Sequence, residues 1–162
     1  MNFRLPAPVR DYIAEAVYEL SAAGVRLVCY PEASMNGCLG WYDSDSREMH
    51  VCMGGEMEVW LGTFVHEFQH FRQHKACVLC WTLSVSTGWL GPALQDASDC
   101  NTIFEMVYTA KSRKKEIRAL TDLQLLEISR RVLEVERDCE LRTISEIERC
   151  RLPIDLLNFR RD

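Results

Sequence analysis

Residues 59–74 read Val-Trp-Leu-Gly-Thr-Phe-Val-His-Glu-Phe-Gln-His-Phe-Arg-Gln-His. Val59, Trp60, Leu61, Phe64, Val65, Phe68 and Phe71 leave no fully polar side to a helix, so a helix from Val59 to about His74 belongs inside a domain. It carries His66-Glu67-Phe68-Gln69-His70, an H-E-x-x-H set. Residues four apart on a helix differ by about 40° in direction and about 6 Å in height, so both imidazoles can reach one zinc ion. Glu67, about 100° round from His66, can engage a water on that ion without displacing a ligand. Zinc lowers the pKa of such a water, and Glu67 would take its proton to make a nucleophile for a peptide carbonyl. Buried His and Glu side chains are costly unless paired or metal-bound. A purely structural hydrogen-bond network is the alternative reading of the same residues.

On the N-terminal side, Gly54-Gly55 breaks the preceding structure, and Glu56 and Glu58 suit a helix N-terminus. Before them, Val25 to Tyr30, Cys38 to Tyr42 and the alternating Arg47 to Met53 read as strands. Pro31 to Gly37 and Asp43-Ser44-Asp45-Ser46 are turn material between them. Pro6 and Pro8 precede the period Val9, Ile13, Val17, Leu20, predicting an amphipathic helix over 8–23 that stops near Gly24. Beyond the motif, Trp81 to Asn101 reads as irregular; helical pattern returns over Ile103 to Tyr108 and from about Thr121 to Cys150. The expected fold is a single α+β domain over 1–162. It has a small, twisted, mostly antiparallel sheet, a buried motif helix and C-terminal helices closing the site.

A third ligand is required. The metzincin continuation would need Gly at 73 and His at 76, where this chain has Gln73 and Ala76, so that pattern is excluded. His74 lies a further turn along the same helix, about 6 Å beyond His70, and fits a cleft wall or plain surface better than a third stacked ligand. On the C-terminal helix, positions 125, 128, 132, 136, 139, 143, 147 and 150 share one face and read Leu, Ile, Val, Glu, Cys, Thr, Ile, Cys. Glu136 is the one charge in that stripe, which calls for a compensating group opposite: a metal, or a buried arginine or histidine. Glu134 and Asp138 point away from the stripe, and Glu140 sits on its shoulder.

HEFQH followed after a long insertion by EVERDCELRT (134–143) resembles the minimal gluzincin peptidase domains of phage and bacterial genomes, in which a second helix carries E-x-x-A-[D/N/E]. The resemblance covers about a quarter of the chain, on two helices. It implies a zincin-like fold and a zinc metallopeptidase with Glu67 as base and His66, His70 and Glu136 as ligands. Glu140 would then accept a hydrogen bond from a ligand histidine. Cys139 and Thr143 stand where the family often has alanine, and both are small enough to keep the helix packing.

His50 or Tyr108 could donate to the oxyanion formed as water attacks. Cys77 and Cys80, close to His74, could clamp a metal or cycle as a dithiol, but a buried apolar pair is the plainer reading. Eight cysteines without an export signal are expected to be reduced thiols, and the chain is expected in the cytoplasm, that of the host cell if it is phage-encoded. No segment is apolar enough for a membrane span. A net charge of −5 argues against a nucleic-acid binder, with Lys111, Arg113, Lys114, Lys115 and Arg118 as a local basic exception. The expected partner is a peptide or protein substrate laid as an added strand between sheet edge and zinc helix. The rival reading is a non-catalytic, zinc-stapled binding or regulatory protein, phage-encoded and acting on a host protein, for which an intact Glu67 has no purpose.

Overall fold

The computed structural model describes residues 5–31, 38–44, 46–76 and 122–156. In chain order these form helix α1 (Ala7–Ala22), strands β1 (Arg26–Tyr30), β2 (Gly40–Asp43) and β3 (Glu48–Cys52), helix α2 (Met57–Lys75) and helix α3 (Asp122–Cys150). This mixed content is compatible with the expected α+β class. Two compact units are distinguished, residues 1–72 with 139–162, and residues 73–138. Tyr108, Cys77, Cys80 and the basic residues 111–118 lie outside the described residues. None of the described helices is long and apolar enough to cross a membrane.

In the first unit, α1 opens with proline in its first turn, where a missing N–H costs nothing. It closes in a Schellman arrangement: Gly24 at φ 72° donates to the Ser21 carbonyl, and Val25 donates to the Leu20 carbonyl. The buried stripe of α1 is Val9, Tyr12, Ala16 and Leu20. Val17, expected inward, is 38 % exposed, because the face turned to the core is centred on Tyr12. The Tyr12 ring packs edge-on against Phe64 and Phe68 of α2, with centroids 6.2 Å apart in both pairs. Phe64, Phe68 and Phe71 stack along α2, and Tyr42 of β2 meets Phe71 edge-on at 5.9 Å. Leu61, Val65, Met49 and Val51 are fully buried and complete this core. Fully burying side chains of this size contributes about 1.5–3 kcal/mol each.

The sheet is mixed, not mostly antiparallel: the order is β1-β3-β2, with β1 parallel and β2 antiparallel to β3. Alternation reports a strand but not the direction of its neighbour, because the side-chain period is two in either case. β2 and β3 pair as a hairpin whose turn is tied by Asp43: its carboxylate accepts from the Ser46 N–H at 3.2 Å and the Ser46 hydroxyl at 2.7 Å. β3 is the central strand, and Met49, His50, Val51 and Cys52 are all buried.

An ion network also belongs to this unit. Glu146, 8 % exposed, accepts from Arg72 at 2.8 Å and from Arg149 at 2.8 Å. Hydrogen bonding from Arg149, and then from Arg72, holds its carboxyl below the usual carboxylate range. Arg72 also donates to Glu19 of α1 and lies over the Phe68 ring at 4.4 Å. In the second unit, the buried Gln73 amide donates to the Val135 carbonyl at 3.0 Å and to Asp138 at 2.8 Å. Arg130 pairs with Glu134 one turn on.

Candidate metal centre and cleft

α2 brings His66 and His70 to one side of the helix, as four-residue spacing requires. Their Nε2 atoms are 3.1 Å apart, with the rings nearly perpendicular. His70 is 7 % exposed, and His66 is half-buried. Cys139 of α3, fully buried, meets the same imidazole at its other nitrogen, its Sγ 3.7 Å from His66 Nδ1 and donating to the His66 carbonyl at 3.2 Å. Burial pushes this thiol up, but hydrogen bonding to His66 and then His70, together with their charge interactions, outweighs it, and the group is held below the ordinary cysteine value. Each of the three residues offers a donor atom within 4.8 Å of the others, the one such group among the described residues. Two imidazoles and a thiol are a donor set that zinc accepts.

Glu67, next to His66, is 8 % exposed. With His66 it lines a cleft of about 470 Å³ whose other walls include Leu39, Gly40, Thr63 and Ile154. The start of β2 therefore borders the same opening as the carboxylate. Among the described strands β2 lies at the edge, paired to β3.

Gly40, which sequence reading passed over, makes this approach possible. A Cβ there would stand 2.6 Å from Thr63 Cγ2, 2.9 Å from the His50 carbonyl oxygen and 3.1 Å from Glu67 Cγ. The His50 carbonyl belongs to the neighbouring strand and cannot step aside cheaply. Gly40→Ala is therefore expected to cost about 1–3 kcal/mol in urea denaturation. Adding Thr63→Ser removes Cγ2 and should recover part of that loss. A Gly40→Ala protein with unchanged midpoint would contradict the tight crossing.

The remaining expected site residues fall in different places. Glu136 is half-buried in the second unit and is not one of the three gathered donors. Glu140 is exposed, one residue beyond the buried Cys139 and so about 100° round the helix. That position does not suit an acceptor for a buried ligand histidine, and the group beside His66 is Cys139. His74 is half-buried in the second unit.

A cleft role does not fit His50. Strand alternation puts its ring with Trp41, on the sheet face opposite Met49, Val51 and Tyr42, whereas Tyr42 and Gly40 face α2. The His50 ring stacks on Trp41 at 4.2 Å; its Nδ1 is 2.9 Å from the Tyr30 hydroxyl and its Nε2 2.9 Å from Glu48. Both ring nitrogens are thus engaged away from α2.

No family model, curated protein or solved structure matches this chain. The functional reading therefore stands on the chemistry of these residues.

Proposed function

We propose that this protein is a zinc-dependent metallopeptidase of zincin-like fold. The observation that carries the reading is that Glu67, the middle residue of the H-E-x-x-H set, lines the same cleft as His66 and the edge of β2. A peptide laid along β2 would add a strand by backbone hydrogen bonding, which orients its carbonyl without demanding particular side chains. His66 and His70 would hold the metal, with a third donor from α3. Two side chains compete for that position: Glu136 on the resemblance, Cys139 on the geometry. When bound, zinc would supply Lewis acidity toward a water molecule and a peptide carbonyl. Glu67 would orient the water and accept its proton, and the same carboxyl would return the proton to the leaving amine nitrogen.

A second reading is favoured by one feature. His70 and Cys139 are both buried, as the donors of a closed structural site would be, so zinc could staple a binding or regulatory protein that cleaves nothing. The position of Glu67 in the open cleft weighs against it. Elemental analysis of freshly purified protein should find one zinc per chain, and incubation with a denatured protein mixture should yield fragments whose formation a chelator stops. Protein free of transition metal would defeat both readings. Stoichiometric zinc without any cleavage would favour the staple.

A further inference from the structure

We propose that the Cys139 thiolate is the third protein ligand, making the centre His66, His70 and Cys139. The inference rests on the metal-binding part of the function proposed above, and departs from the two-histidine, one-glutamate set implied by the resemblance. Three observations support it. Cys139 has no exposed surface, and its sulfur lies against His66, 3.2 Å from the backbone carbonyl oxygen and 3.7 Å from the ring Nδ1. The His66 and His70 Nε2 atoms face each other at 3.1 Å. That spacing is met by an N–H···N hydrogen bond between two neutral tautomers, and the same two nitrogens are close enough to share a cation once that proton is gone.

The third observation is metric. In a tetrahedral zinc site with Zn–N of about 2.0–2.1 Å and Zn–S of about 2.3 Å, neighbouring donors are separated by about 3.3–3.6 Å. The donors here all lie within 4.8 Å of one another, so small side-chain rotations on two fixed helices would close the site. Charge raises no objection: a thiolate carries the same −1 as a carboxylate, leaving the same net charge on a dication held by two neutral histidines. What changes is softness. A thiolate donates more electron density, favours zinc and cobalt(II) over magnesium or calcium, and releases a proton on loading.

The test is cobalt(II) substitution of metal-free protein followed by absorption spectroscopy. Wild type should show visible ligand-field bands and a near-ultraviolet sulfur-to-cobalt charge-transfer band. Seven other cysteines are present, so the band must disappear in both Cys139→Ser and His66→Ala to belong to this centre. Zinc affinity measured by competition with a chromophoric chelator should fall at least about 100-fold in Cys139→Ser, more than loss of an outer hydrogen-bond partner produces, and change little in Glu136→Gln. Ligand-field bands without the charge-transfer band in wild type would overturn the thiolate ligand while leaving the metallopeptidase reading intact. So would loss of affinity in Glu136→Gln but not in Cys139→Ser. Failure of wild type to bind cobalt or zinc at all would overturn both. A wild-type spectrum without the charge-transfer band is decisive by itself, and where the band is present but Cys139→Ser fails to fold, its survival in His66→Ala overturns the assignment to this centre.

Discussion

Glu67→Gln is expected to leave the chain folded and its metal bound while peptide hydrolysis falls by about 10²–10⁴-fold, the usual worth of a positioned acid–base group. The side chain is 8 % exposed and packed beneath Gly40, so an isosteric amide keeps the contacts while losing the proton acceptor. Metal content by elemental analysis should match wild type, because Glu67 is not among the gathered donors. Single-turnover cleavage of a fluorogenic peptide library would read the loss. Equal cleavage by the two proteins would remove Glu67 from the chemistry. Equal inactivity with equal effect in a cellular assay would establish the zinc-stapled binding protein instead.

His66→Ala should have the larger structural effect. It removes the imidazole that both neighbours approach, His70 at Nε2 (3.1 Å) and Cys139 at Nδ1 (3.7 Å), so metal binding should be lost and hydrolysis with it. A ligand that binds only the folded state stabilises it by about 2.7 kcal/mol when present at a hundred times its dissociation constant. Wild type should therefore melt higher with added zinc, whereas His66→Ala should melt at one temperature with or without it. The imidazole is half-buried and faces the cleft, so its loss leaves a water-accessible gap and not a dry cavity. A zinc-dependent melting shift that survives in His66→Ala would place the metal elsewhere in the chain.

Local order was largely legible in the sequence. The motif helix was expected from Val59 to about His74 and spans Met57–Lys75; the C-terminal helix was expected from about Thr121 to Cys150 and spans Asp122–Cys150. The first was read from apolar residues nearly all round it and the acidic residues Glu56 and Glu58 at its start, the second from a stripe at helical spacing, and all of these are properties of neighbouring residues. The three strands appeared within two residues of their expected starts and ends for the same reason. The direction of β1 against β3 did not, since no residue in either strand encodes it. Val17 was misassigned to the core because α1 has apolar residues on more than one face, and the partner surface, Phe64 and Phe68 against Tyr12, selected one.

The site divides along the same line. That His66 and His70 can share a ligand, with Glu67 beside them, follows from helix geometry alone and needed no tertiary information. Which residue of α3 meets them is another matter. Glu136 and Cys139 lie only about 60° apart on that helix, so the sequence left the choice to charge, and charge pointed to the carboxylate. The rotation and offset of α3 against α2 brought up the sulfur of Cys139. Gly40 became visible only once β2 lay across Glu67, because a missing Cβ has meaning only where something else occupies its place. Sequence alone determined the helices and the two-histidine spacing, since both are set within a few residues. Strand order, the third gathered donor and the strand over the carboxylate were decided by tertiary structure, since each depends on how surfaces far apart in the chain pack.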